Sequence, residues 1–159
     1  SFKYEKLIIP TSSIFTFSDI IINNVSRLLT SQMDYVSIHI RLGDKFLETD
    51  KSYVLCKNDN RGFDEERTSN YILNNSDKNI ILFSDNNALK VKMKTKHENI
   101  IILNSKIGHT SLRNTNEQQI IDTITEFYIL LQSNEIAVNT ESGFSRMASK
   151  FNHVPLHLL

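Results

Sequence analysis

The chain has 159 residues, the length of one domain with a sizeable core, and hydrophobic and charged residues make up 40% and 23% of it. Lysine plus arginine and aspartate plus glutamate both number 18, so the formal net charge is zero and no basic excess points to a nucleic-acid partner. The single cysteine, Cys56, excludes an internal disulfide framework and, with no visible signal peptide or bilayer-length apolar run, favours the cytoplasm.

The first part of the chain predicts a helix followed by a strand. Ser18 is placed to cap a helix that runs to about residue 32, because apolar residues recur on one helical face. That face consists of Phe17, Ile20, Ile21, Val25, Leu28 and Leu29. Residues 35–41 are rich in valine and isoleucine and predict a buried strand, and the polar stretch 43–62 is too irregular to assign.

Helix and strand signals continue to alternate through the rest of the chain. Helices are predicted over residues 65–73, 87–97, 116–132 and 141–151, and strands over 79–83, 100–103, 135–139 and 154–158. The core face of the longest helix consists of Ile120, Ile121, Ile124, Phe127, Tyr128 and Leu131. Single helices between strands imply right-handed crossovers, so we expect one α/β domain over residues 1–159, with a mainly parallel sheet and helices on both faces.

Ligands of such sheets bind in the crevice beyond the carboxyl ends of the strands. The segments that follow the predicted strands are also the polar and least regular ones. They are residues 39–44, 84–85, 104–113 and 140–145.

The first candidate cluster is His39-Ile40-Arg41-Leu42-Gly43-Asp44. His39 and Arg41 point to the same side of a strand, the arginine fork suits phosphate oxygens, and Gly43 lets the backbone turn closely around a ligand. On spacing alone a purely structural role is slightly favoured. Arg41 and Asp44 then form a structural ion pair, and His39 is a satisfied core histidine.

Two further clusters follow later strands. Asp85 can accept hydrogen bonds from a nucleobase or ribose, or it can cap the next helix. Residues 140–146 form a strand-to-helix junction, where small hydroxyl residues and free backbone N–H groups make an anion site or an ordinary helix cap. The loop at Gly108-His109-Thr110 is a weaker candidate, with a plain surface loop as its alternative.

Several well-known site patterns are absent from the sequence. There is no GxxxxGK[ST], GxGxxG, HExxH, CxxC or GxSxG. P-loop chemistry, a dinucleotide fingerprint, a thiolate zinc site and a nucleophile elbow are therefore disfavoured.

The ordered set of clusters resembles the fucosyltransferase superfamily that contains the α1,2-, α1,6- and protein O-fucosyltransferases and the rhizobial Nod-factor enzymes. H-I-R-L-G-D at residues 39–44 is similar to the first motif of that group, H-x-R-x-x-D. F-S-D at residues 83–85 is similar to the second, and S-G-F-S-R at 142–146 is similar to the third, often S-S-F-S. The resemblance covers roughly residues 36–151.

The resemblance implies the C-terminal, Rossmann-like half of a GT-B enzyme that transfers fucose from GDP-fucose with inversion and without an essential metal or other cofactor. It implies that Arg41 binds the β-phosphate and stabilises the GDP leaving group, that His39 lies near the guanosine and that Asp85 recognises guanine or ribose. The third motif would line the phosphate and nucleoside site. Its members are Ser142, Gly143, Phe144 and Ser145.

Two departures from the family pattern bear on this expectation. Leu42 stands where the α1,2 and α1,6 enzymes usually carry a second arginine, and Gly143 replaces a serine.

A GT-B enzyme also needs a second domain for its glycan or protein acceptor, which 159 residues do not supply. Asp44 and Glu48 are the candidates for the catalytic base. A nucleotide-sugar-binding module without activity, and a transferase using another nucleotide sugar, are the alternatives.

Overall fold

The computed structural model describes residues 15–29, 33–47, 56, 58–105, 107–108 and 115–159. Helices and strands alternate through these residues as the sequence predicts. In chain order they are α1 (Asp19–Leu28), β1 (Tyr35–Ile40), α2 (Glu65–Asn74), β2 (Asn79–Ser84), α3 (Asn87–Lys96), β3 (Ile100–Ile102), α4 (Glu117–Gln132), β4 (Glu135–Val138), α5 (Gly143–Asn152) and β5 (Leu156–Leu158).

The strands form one parallel sheet in the order β3-β2-β1-β4-β5. The sheet grows outward from β1 in one direction through β2 and β3, and then in the other through β4 and β5. The strand order therefore reverses between β1 and β4, where His39 is in register with Val138. This arrangement confirms the Rossmann-like α/β fold and marks the crevice above β1 and β4 as the position where such sheets bind ligands.

Alternate residues of the buried strands pack against helices on opposite faces of the sheet. Val36, Ile38 and Ile40 of β1 contact one core that includes Ile72 of α2 and Met93 of α3. The opposite core contains the buried residues of α1, α4 and α5 together with Tyr35, whose hydroxyl donates to the Ile129 carbonyl at 2.7 Å. Burial on both faces explains why β1 has no exposed residue.

The predicted apolar faces of α1 and α4 are partly wrong. Ile20 and Leu28 of α1 are 56% and 50% exposed, and Ile120 and Ile124 of α4 are 48% and 38% exposed. Leu131 of the predicted α4 face is buried, and so are Thr125, Ile129 and Leu130, which the prediction left out. The apolar stripe faces a groove between α1, α4 and α5, while the C-terminal half of α4 packs on the sheet.

Element ends differ from the predictions by a few residues. β1 ends at Ile40 and β4 at Val138, so Arg41 and Asn139 already belong to the connections. Ser18 occupies the N-cap of α1 without a side-chain hydrogen bond, whereas Asn116 and Gln119 form a reciprocal capping box on α4.

Cys56 is exposed with a free thiol. Within the described ranges, no helix has the length and apolar character needed to span a membrane.

Candidate functional site

A cavity of about 300 Å³ lies beyond the carboxyl ends of the strands, at the position where the strand order reverses. The segments after β1, β2, β3 and β4 all contribute to it, together with α4. Its lining residues are His39, Arg41, Leu47, Arg61, Ser84, Asp85, Ser105, Ile107, Gly108, Thr123, Glu126, Ser142, Gly143 and Phe144. The three clusters selected from the sequence are therefore brought together around one space.

Some predicted site residues lie behind the cavity or beyond the described chain. Gly43, Asp44 and Ser145 do not line it. Glu48, one of the two candidates for the catalytic base, lies outside the described residues, as do His109 and Thr110 of the weaker loop candidate.

Arg41 is held at the end of β1 by bonds to its side chain and its backbone. The guanidinium pairs with Asp85 Oδ2 at 3.0 Å and with the Asp44 carboxylate. The Arg41 backbone N–H donates to Asn139 Oδ1 at 2.9 Å, and Asn139 Nδ2 donates to the Arg41 carbonyl at 3.0 Å. The ion pair with Asp44 is the one that the structural alternative expects. Arg41 nevertheless also lines the cavity. Its two carboxylate partners do not use all five guanidinium N–H donors, so further donors are available to a ligand.

Asp85 shapes the loop after β1. Its two carboxylate oxygens accept from the backbone N–H groups of Leu42 at 2.9 Å and Gly43 at 3.1 Å. The cap of α3 is Asn86, whose side chain accepts from the Leu89 N–H at 2.8 Å, so the helix-cap alternative for Asp85 is wrong. Burial raises the pKa of Asp85, while Arg41 and the two backbone donors act in the opposite direction.

Gly43 is required by its packing against a second segment of the protein. Its φ angle is 99°, a conformation that disfavours residues with a side chain, and a Cβ there would lie 2.4 Å from the Asp59 carbonyl oxygen. The tight approach expected of Gly43 is therefore made to the backbone of Asp59.

His39 is a buried neutral imidazole in the cavity wall. Its ring lies 5.5 Å from the Phe144 ring, and its Nδ1 has no hydrogen-bond partner among the described residues. Burial, followed by the charges of Arg41 and Arg61, lowers the pKa of His39 to about 4. The expectation of a satisfied core histidine does not hold for Nδ1.

The N-terminus of α5 forms another side of the cavity. Ser142 occupies the N-cap and accepts from the Ser145 N–H at 3.2 Å, and its Oγ lies 2.9 Å from Ser145 Oγ. Ser145 is fully buried and supports Ser142 from behind. The junction thus serves as the cap that any helix needs, and it also directs the positive end of a helix toward the cavity.

Glu126 is a cavity residue that the sequence analysis missed. Its Oε1 is buried without a hydrogen-bond partner, and the nearest cation, Lys90 Nζ, is 4.0 Å away. Burial raises the pKa of this carboxyl, against the opposing effects of Lys90 and a Ser105 hydrogen bond. The signal in the sequence is that Glu126 alone is charged between Asp122 and Glu135.

Arg61 and Asn139 were also missed. Arg61 lines the cavity from the segment left unassigned, and Asn139 joins β1 to β4 through contacts between residues 98 positions apart. Neither residue stands in a recognisable local pattern.

The guanidinium groups of Arg41 and Arg61, the N-terminus of α5 and the Glu126 carboxylate thus line one cavity. Among the described residues no three histidine, cysteine, aspartate or glutamate side chains are grouped in a way that suits a metal ion. No protein-family model and no curated protein matches the chain.

Proposed function

We propose that this domain binds a nucleoside diphosphate sugar, with GDP-fucose or a related GDP-sugar favoured, and acts as the donor half of an inverting glycosyltransferase. The observation that carries the proposal is that Arg41 and the N-terminus of α5 line one cavity at the strand-order reversal. Parallel α/β sheets bind phosphorylated ligands at this position.

The phosphate side of the proposal follows from charge and geometry. Arg41 is already fixed by Asp85, Asp44 and Asn139, so little side-chain freedom is lost when a ligand arrives. The N–H groups at the start of α5 and the Ser142 hydroxyl add donors for phosphate oxygens. When the bond to the sugar breaks, negative charge grows on the diphosphate, and a preorganised arginine stabilises that charge most strongly in the transition state.

The Glu126 carboxylate, whose Oε1 accepts no hydrogen bond among the described residues, supports a guanine base. Guanine presents adjacent N–H donors on one edge, which suit a carboxylate with an unoccupied oxygen. Uracil presents a single N–H between two carbonyl oxygens, and those oxygens would face the carboxylate. Asp85 is less suited to reading a base because both of its oxygens already accept backbone N–H groups.

A non-catalytic binding module is the second candidate, and a specific observation favours it. Asp44 is ion-paired with Arg41 and does not line the cavity, which disfavours it as the base for an acceptor hydroxyl. The described carboxylates in the cavity wall are Asp85, which is bonded to the loop, and Glu126, which is partly buried. A transferase would take its base from Glu48 or from another domain. An enzyme using a different nucleotide sugar is the third candidate, since phosphate contacts do not read the base.

The test is calorimetric titration of the 159-residue chain with GDP, GDP-fucose, GDP-mannose and UDP, each with and without EDTA. We expect binding of the GDP ligands in EDTA and weaker binding of UDP. Arg41→Ala should abolish binding of the GDP ligands. Arg67→Ala, which changes an exposed arginine of α2 outside the cavity, should leave that binding intact. If the wild-type chain binds none of the four ligands, the proposal is contradicted.

A second assay separates the transferase from the binding module. Release of GDP from GDP-fucose, with water or added glycan as acceptor, is expected of a transferase. Tight GDP-fucose binding without GDP release would favour the binding module.

A further inference from the structure

The cavity contains a second arginine that comes from a different part of the chain. Arg61 and Arg41 both line it, and their side chains are 31% and 15% exposed. Arg61 is therefore the more accessible of the two, as expected of a residue near the cavity mouth, whereas Arg41 is more enclosed at the end of β1.

The segment that carries Arg61 is fastened to the loop that follows Arg41. The Arg61 backbone N–H donates to the Leu42 carbonyl at 2.8 Å, and the Lys45 N–H donates to the Asp59 carbonyl at 3.2 Å. Gly43 permits the close contact because a side chain there would collide with Asp59. These bonds place both arginines on one connected piece of backbone.

The charges of both guanidinium groups affect the buried His39 ring. Both charges disfavour protonation of His39 and contribute to the lowered pKa of that ring. Arg61 uses its Nε to bind Asp59 Oδ1 at 3.1 Å, while the terminal nitrogens of its fork carry the remaining donors. An arginine that is oriented by a carboxylate and placed at a cavity mouth is suited to bidentate recognition of a phosphate.

We infer that Arg61 is a second phosphate-binding arginine, which contacts the outer, sugar-bearing phosphate of the donor at the mouth of the cavity. The inference rests on the proposed function. It follows that the site distinguishes a nucleoside diphosphate from a monophosphate, because the outer phosphate is the group that Arg61 reaches. In a transferase, Arg61 would share with Arg41 the charge that develops on the leaving group.

The test compares GDP and GMP affinities of the wild-type chain with those of Arg61→Ala, Arg61→Lys and the control Arg67→Ala. We expect Arg61→Ala to weaken GDP binding roughly 10- to 100-fold, since a hydrogen-bonded charge contact is lost. GMP binding should weaken by less than about threefold. Arg61→Lys should recover part of the GDP affinity because it keeps the charge but not the fork. Melting temperatures of all variants are measured in parallel.

The inference is overturned if Arg61→Ala binds GDP as the wild-type chain does, or if it loses GDP and GMP affinity equally with a lowered melting temperature. The second result would mean that Arg61 only holds Asp59 and the loop. Failure of the wild-type chain to bind GDP would remove the proposed function as well. Loss of GDP binding in Arg41→Ala, with wild-type binding in Arg61→Ala, would remove this inference alone.

Discussion

Two groups of polar residues line or support the cavity, and they differ in how their hydrogen bonds are satisfied. Around Arg41, the carboxylates of Asp44 and Asp85 and the amide of Asn139 all have partners within the protein. At His39 and Glu126, Nδ1 and Oε1 are buried without a hydrogen bond. We call the first group the bonded loop and the second the unpaired groups.

This difference separates the residues that hold the site in place from those whose buried polar atoms lack a hydrogen-bond partner. A buried polar atom without a partner costs roughly 1–3 kcal/mol, and a cavity that keeps such atoms in its wall gains when a ligand supplies the partner. The bonded loop is already complete, so it positions Arg41 without paying that cost again on binding. Variants in the bonded loop should therefore change stability most, and variants of the unpaired groups should change recognition. The predictions below run from the largest expected effect on stability to the smallest.

Asp85→Ala should have the largest effect, lowering the free energy of unfolding by about 3 kcal/mol because two backbone N–H groups and Arg41 lose their partner together. GDP affinity should fall because Arg41 is no longer held, whereas the ratio of GDP to UDP affinity should stay the same. Denaturant unfolding and titration with both nucleotides measure the two effects. A changed ratio with unchanged stability would make Asp85 a base-reading residue and break the comparison.

His39 should make the stability depend on pH. Its pKa is about 4 in the folded protein. The ordinary value is about 6.5, so the unfolded chain binds more protons between these two values. The stabilisation is complete above about pH 6.5 and is lost as the pH falls toward 4, by at most about 3 kcal/mol. Unfolding of wild type and His39→Gln is compared across this window. Parallel curves for the two proteins would mean that His39 is not buried in its neutral form.

Asn86→Ala should lower the free energy of unfolding by about 1 kcal/mol, the usual contribution of a helix cap, and leave GDP affinity unchanged. Asn86 is the neighbour of Asp85, and its Nδ2 also donates to the Phe46 carbonyl at 2.9 Å in an exposed bond. The pair therefore separates capping of α3, with this outer bond, from the support that Asp85 gives to Leu42 and Gly43. Chemical unfolding and GDP titration of both variants give the comparison. A loss of GDP affinity as large as that of Asp85→Ala would show that the two residues act through one structural element.

Glu126→Gln should change the free energy of unfolding by less than about 1 kcal/mol. Oε1 makes no hydrogen bond, glutamine keeps an oxygen for Ser105, and Lys90, 4.0 Å away, retains its bond to the Leu103 carbonyl. The substitution should nonetheless reduce the preference for GDP over UDP roughly tenfold or more. Because burial raises the pKa of Glu126, wild-type GDP affinity should rise with pH through that pKa, and the Gln variant should lack this dependence. An unaltered preference would remove Glu126 from the base site.

The sequence predicted those parts of the molecule that depend on local patterns. The apolar runs at residues 35–41 and 79–83 were enough to predict the first two strands to within one residue. The rule about carboxyl ends predicted that His39, Arg41, Asp85 and Ser142 meet at one cavity. Strand order, in contrast, was not predicted, because pairing of β1 with both β2 and β4 depends on tertiary packing.

The errors have the same origin. The apolar stripe of α4 was assigned to the core because periodicity shows an apolar face without showing what covers it. Asn139 and Arg61 were missed because their partners, Arg41 and Leu42, lie far away along the chain. Asp85 was offered as a cap because its partners, the Leu42 and Gly43 N–H groups, lie 43 and 42 positions away along the chain.

The free thiol of Cys56 offers a labelling site in the segment that carries Arg61. Cys56 is the sole cysteine of the chain, it is exposed, and its carbonyl accepts the Asp59 N–H at 3.2 Å. A maleimide fluorophore attached there would be a single-site reporter fixed to the backbone that carries Arg61. Its emission would follow nucleotide arrival in real time, without a reporter mutation elsewhere in the protein.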